Sequence, residues 1–182
     1  CGTTGESATL SWEEHHRVVD VALEQAAGRV TVIAGAGSNS TAEAVAAARH
    51  AKEHKADAIL CITPYYNKPT QEGLYRHFKA IAEKVDIPVI AYNVPSRTGV
   101  NMRAETLERL CAFDNIVAVK EASGDLVQIS QIHSRCGDRL AILSGEDALT
   151  LPMLACGGIG TISVTANILP GKMGEMIDAF LD

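Results

Sequence analysis

The sequence predicts an α/β protein built as a (β/α)8 barrel, and three observations predict it. Short β-branched runs alternate with amphipathic helical stretches six times over with short connections, the signature of a parallel sheet covered by helices. Polar residues stand at the C-terminal end of strand after strand, where a barrel keeps its site: Thr3 and Thr4, Tyr65 and Tyr66, Tyr92 and Arg97, Lys120, Gly145, and Thr165 with Asn167. The doubly wound alternative lacks its fingerprint. Gly35-Ala36-Gly37-Ser38-Asn39-Ser40 carries only two of the three glycines, and no acidic residue ends the following strand. The six strands of these 182 residues fall short of the eight strands and ~250 residues of a closed barrel, so the chain reads as a barrel truncated at both ends.

The elements follow in order. Cys1-Gly2-Thr3-Thr4-Gly5 is loop chemistry, and Ser11-Trp12-Glu13-Glu14 is a capping box that opens a helix ended by Gly28. Val30 to Ala34 is a strand. A second box, Ser40 with Glu43, opens an alanine-rich helix to about residue 55. Strand Ala58 to Ile62 empties into Thr63-Pro64-Tyr65-Tyr66-Asn67-Lys68-Pro69. Helix 70–85 leads to strand Val89 to Tyr92, which ends in Asn93-Val94-Pro95-Ser96-Arg97-Thr98-Gly99. Helix 103–113 precedes strand Ile116 to Val119, and helix 125–135 follows it. Then come strand Leu140 to Leu143, helix 147–156, strand Thr161 to Val164 and a last helix with Pro170 in its first turn.

Composition excludes several classes. A chain 47% hydrophobic and 21% charged is an ordinary globular domain. Its net charge of −6 argues against nucleic acid or an anionic membrane as partner, and no apolar run reaches the ~20 residues that span a bilayer. Five scattered cysteines without C-x-x-C spacing read as reduced thiols of a cytoplasmic protein with no zinc site. His50 and His54 stand at i, i+4, but no third ligand is placed near them, so no metal is expected.

The stretch Ile116-Val117-Ala118-Val119-Lys120 concentrates the chemistry. The apolar run reads as a strand buried on both faces, and it delivers a lysine to the strand end. Partial desolvation there lowers an ammonium's pKa and makes a nucleophile able to form a Schiff base with a carbonyl. The same position also suits a lysine that merely snorkels to water. The stretch alone leaves both readings open.

Four motifs taken together favour the first. Gly2-Thr3-Thr4-Gly5-Glu6, Pro64-Tyr65-Tyr66-Asn67, Tyr92-Asn93-Val94-Pro95-Ser96-Arg97-Thr98-Gly99 and Lys120-Glu121-Ala122-Ser123-Gly124 resemble, in type, order and spacing, the dihydrodipicolinate synthase family of pyruvate-dependent class I aldolases and lyases. The resemblance implies a lyase of lysine and diaminopimelate biosynthesis that condenses pyruvate with aspartate semialdehyde. The covalent imine with pyruvate would need no cofactor. Lys120 would carry that imine, with Tyr92, Thr3 and Tyr66 as a proton relay in which Tyr66 serves a neighbouring subunit. Thr4 would hold the pyruvate carboxylate, Arg97 the second substrate's carboxylate, and Gly145 and Ile162 would shape the pocket. Ser7, Ala8, Trp12, His15, Asn39, Glu43 and Tyr65 match positions that bind inhibitory L-lysine in sensitive members. The family also implies a homo-oligomer, a dimer of dimers, and chain beyond both ends of residues 1–182. A piece with two open sheet edges is expected to be unstable alone. Sibling enzymes splitting 2-keto-3-deoxy sugar acids, and a silent barrel fragment, are the alternatives. Arg97 and Thr3 favour the semialdehyde, since the siblings generally lack that arginine and carry Ser in place of Thr3.

Overall fold

The computed structural model describes residues 1–182. Its six strands are β1 (Ile33–Gly35), β2 (Ala58–Ile62), β3 (Val89–Asn93), β4 (Ile116–Glu121), β5 (Ala141–Ser144) and β6 (Gly160–Thr161). All neighbours pair in parallel, and the spatial order is the sequence order, β1 to β6. A doubly wound sheet reverses direction at a switch point. This one never does, so every crossover wraps the same way and the sheet curls as part of a (β/α)8 barrel.

The helices are α1 (Trp12–Ala26), α2 (Thr41–Glu53), α3 (Gln71–Lys84), the short α4 (Pro95–Thr98), α5 (Ala104–Leu110), α6 (Leu126–Cys136), α7 (Thr150–Ala155) and α8 (Pro170–Leu181). Side chains alternate along a strand, so each strand has a helix face and an inner face. Ile59, Cys61, Ala91, Val119 and Ile142 point to the helices and join Leu74, Phe78, Ile81, Leu107 and Ile129 in the core. Leu60, Tyr92, Lys120 and Leu143 occupy the opposite face, the wall of the barrel interior.

One irregularity keeps this pattern in phase. Val89 pairs with Ile116 but Ile90 pairs with Ala118, so Val117 is an extra residue in β4. It is 38% exposed, which corrects the expectation of a strand buried on both faces. The bulge lets Ile116 and Val119 both face the helices and leaves Lys120 facing inward.

The expected elements are present, with five corrections. The strand foreseen from Val30 starts at Ile33, because β1 has a partner on one side only and Val30 is 65% exposed. At the other edge, β6 stops at Thr161 rather than Val164 for the same reason. The capping box at Ser11 and Glu14 is reciprocal, but the one at Ser40 and Glu43 is not: Glu43 accepts from Ser38 Oγ at 2.7 Å. The helix foreseen over 103–113 is α5, which ends at Leu110, and the helix foreseen from 147 opens with a 3₁₀ turn, Asp147–Leu149.

α3 also buries a histidine, His77, whose Nδ1 lies 2.8 Å from Thr41 Oγ1. Burial holds its pKa down at about 4, against an ordinary 6.5. The unfolded chain therefore takes up a proton below pH 6.5 that the folded chain refuses. Stability is full above that pH and falls as the pH drops toward 4. Urea denaturation at neutral pH and near pH 4.5 should show the parent losing ~2 kcal/mol more than His77→Leu on acidification.

Candidate active site

Lys120 and Tyr92 are register partners on β4 and β3, so the pairing itself sets them side by side. Lys120 Nζ lies 4.3 Å from the centre of the Tyr92 ring. Burial lowers the Lys120 pKa from 10.5; Asp147 pulls it back up, and Arg97 pushes it further down. Burial raises the Tyr92 phenol, which the Thr3 hydroxyl and the Arg97 charge draw down again and Glu146 raises. An amine that sheds its proton more readily thus stands beside a phenol that holds its own. This is the pairing needed to attack a carbonyl and to pass a proton to the departing oxygen.

Gly145 supplies the room. A Cβ there would meet Ala122 Cβ at 2.8 Å and Lys120 Cε at 3.0 Å, so the lysine stem lies directly on the glycine. Gly145 N donates to Glu121 O at 2.8 Å, and Ile162 N donates to Ser144 O at 2.8 Å, which fixes both residues of the far wall through their backbones.

Behind Lys120, sequence reasoning missed a buried anchor. Glu121 has no exposed surface, and its carboxylate accepts from Asn93 Nδ2 at 3.0 and 3.1 Å, Ser123 N at 2.7 Å and Gln128 Nε2 at 3.2 Å. Burial raises its pKa, and these donors oppose that rise. Asn93 Oδ1 accepts from Met102 N at 2.9 Å, and Asn101 bonds both Asn93 and Gln128, so one network joins the ends of β3 and β4, the 100–102 loop and α6. The available signal was the charge next to Lys120 on an otherwise apolar strand, which period 2 sends to the helix face.

A cavity of about 400 Å3 opens over the inner face. Thr3, Tyr92 and Arg97 line it, and so do Ser7, Ala8, Trp12, His15, Glu43 and Tyr65 from the second predicted group. Thr3, Tyr92 and Arg97 share this space with the second group, whereas Lys120, Gly145 and Ile162 do not line it. Thr4 is exposed and Asn39 half-buried, and neither lines the cavity. Tyr66 is 89% exposed with φ of +72°, a conformation that bulky residues avoid, and it does not line the cavity. The expectation that His50 and His54 lack a third ligand is corrected: packing of α1 on α2 brings Asp20 to both.

The sequence matches the profile of the Dihydrodipicolinate synthetase family over residues 1–182. The chain belongs to the dihydrodipicolinate synthetase family. Among its relatives, a 4-hydroxy-tetrahydrodipicolinate synthase of Pelobacter propionicus is 56% identical over 182 residues, covering 100% of this chain and 63% of that protein. A chloride-inhibited dihydrodipicolinate synthase of Acinetobacter baumannii, solved with pyruvate, superimposes with a TM-score of 0.96 at 47% identity, covering 99% of this chain and 62% of that one. The same enzyme type from Cyanidioschyzon merolae, solved with lysine bound, gives a TM-score of 0.97 at 47% identity, over 100% of this chain and 62% of that one. The chain therefore spans less than two thirds of the length of these relatives.

The lowered Lys120 pKa is open to test. Trace labelling with an amine-reactive reagent, read by peptide mass spectrometry, should half-label Lys120 at a pH below 10.5, with exposed Lys172 as internal reference. In Gly145→Ala the added methyl displaces the lysine stem, and the Lys120 profile should move while that of Lys172 stays.

Proposed function

We propose that this protein is a class I lyase that condenses pyruvate with L-aspartate-4-semialdehyde to give 4-hydroxy-tetrahydrodipicolinate, in lysine and diaminopimelate biosynthesis. The observation that carries the reading is the register pair: a partly desolvated Lys120 amine packed against the Tyr92 ring, on the inner face of a barrel of this family. The pyruvate complex of the Acinetobacter baumannii relative supports the substrate.

The chemistry follows from the groups present. The neutral Lys120 amine attacks the ketone carbon of pyruvate, and the carbinolamine loses water to leave an imine. Tyr92, with Thr3 beside its hydroxyl, gives a proton to the departing oxygen and relays the one released from the methyl carbon as the enamine forms. The enamine carbon then attacks the aldehyde, and the semialdehyde's own amine displaces Lys120 as the ring closes. Arg97 on the cavity wall receives the semialdehyde carboxylate, and Thr4 the pyruvate carboxylate. Gly145 and Ile162 set the width of the pocket. No cofactor is required, because the imine itself is the electron sink.

The remaining readings concern assembly and control. Tyr66, exposed on the single chain, completes the relay of a neighbouring copy in a dimer of dimers. L-lysine binds among Ser7, Ala8, Trp12, His15, Asn39, Glu43 and Tyr65, where Glu43 faces its ammonium groups. The lysine complex of the Cyanidioschyzon merolae relative supports this ligand. Free thiols at all five cysteines suit a cytoplasmic setting.

Borohydride reduction with pyruvate should leave an adduct on the Lys120 peptide and none in Lys120→Ala. Tyr92→Phe should slow trapping by ~10²-fold, the usual share of a positioned proton donor. Turnover with the semialdehyde, lost in Arg97→Ala, supports the assigned acceptor; turnover with a sugar aldehyde alone would transfer the protein to the sugar-acid lyases. A folded chain that forms no adduct would overturn the reading.

A further inference from the structure

On the outer surface, away from Lys120, α1 and α2 turn an i, i+4 pair toward each other. His16 and Asp20 come from α1, His50 and His54 from the C-terminal end of α2. Asp20 Oδ1 lies 2.8 Å from His50 Nε2 and 2.7 Å from His54 Nδ1, and the ligand atoms of these three residues all fall within 4.8 Å of one another. The His16 ring stacks on His50 with centres 4.0 Å apart and planes 8° from parallel, and His50 stacks on His54 at 4.0 Å. His16 Nε2 is buried without a hydrogen-bond partner.

A hydrogen-bonded clasp explains one carboxylate with one or two imidazoles. It leaves unexplained why a third imidazole, its ring nitrogen unpartnered, is stacked onto the pair. We propose that Asp20, His50 and His54 bind one divalent first-row transition ion of the Zn2+ class, with His16 stacked against the site.

The donor set suits that ion: imidazole nitrogens and a carboxylate, two histidines one helical turn apart, and a third ligand from a facing helix. Tetrahedral Zn2+ with bonds of about 2.0 Å separates neighbouring donors by about 3.3 Å, so Asp20 need draw back from each histidine by only about half an ångström. Each imidazole stays neutral by keeping its one proton on the nitrogen that does not ligate. Asp20 and His54 also line a second cavity of about 430 Å3, together with Glu24 and Asp57, which gives the ion access and leaves room for a water as fourth ligand. The ion would tie α1 to α2.

The test is a Co2+ titration of the chelator-treated protein, followed by visible absorption and then by competition with Zn2+. The expected result is one ion per chain with the intense visible bands of low-coordinate Co2+, bleached by Zn2+, and binding at least tenfold weaker in His54→Ala. The His54 side chain is 42% exposed, so its removal should leave the fold intact by circular dichroism. Asp20→Asn is the second variant and should show the same loss. Zn2+ should raise the melting temperature of the parent but of neither variant. Identical titrations of the parent and both variants, a thiolate charge-transfer band marking the cysteines as ligands, or no saturable binding by millimolar Co2+ on folded protein would each overturn the proposal.

Discussion

The buried carboxylate of Glu121 meets donors on every side: the Asn93 amide, the Ser123 amide and the Gln128 side chain. An acceptor-only group in that position satisfies all of them at once, and a neutral group of the same size would set donor against donor. The consequence reaches the opposite face of the strand. Because side chains alternate, a Glu121 locked among the helices leaves Lys120 only the barrel interior. The bulge at Val117 serves the same end, absorbing one residue so that the apolar start of β4 and its polar end are both in phase. A desolvated carboxylate is costly to hold, and here that cost fixes the direction of a lysine.

The inner face is arranged by charge as much as by shape. Arg97 lowers both the amine and the phenol, while Asp147 acts on Lys120 and Glu146 on Tyr92 in the opposite sense. Asp147 is itself held by the amide and hydroxyl of Thr165 at 2.8 and 2.7 Å, so its position depends on the chain after β6. Burial is the largest influence on both Lys120 and Tyr92, and the charged residues trim it. The lowered amine and the raised phenol owe their shifts first to the strands that exclude water and only then to ionic neighbours.

Most of the fold was legible because it rests on local signals. Ser11 with Glu14, Pro170 and the β-branched runs each announce an element within a few residues, and the strand-helix rhythm then leaves a parallel sheet. The edges were misread because a strand's length there depends on a partner, which no local pattern encodes; β1 and β6 each lack a neighbour on one side. Within the candidate site, the strand-end placement of Lys120 and Tyr92, and of Arg97 just beyond, was legible from local patterns, and the family resemblance added Thr3. Glu121 and Asp20 were not legible. Each is an acidic residue whose meaning comes from groups on other elements: Gln128 and Asn93 for the first, His50 and His54 for the second.

α1 joins the two surfaces of the molecule in consecutive residues. His15 turns toward the cavity that holds Tyr92 and Arg97, and His16 turns outward onto His50. The helix buries only His15 and Val19, so apolar packing alone fixes it weakly. The reciprocal cap at Ser11 and Glu14 holds the helix together, and the grip of Asp20 on His50 and His54 ties it to α2. The segment just before it supplies Thr3, Ser7 and Ala8 to the cavity. A helix moves as a body over so short a span, and whatever tightens Asp20 against α2 also sets the wall that carries Trp12 and His15. The outer clasp and the inner cavity are thus two faces of one constraint.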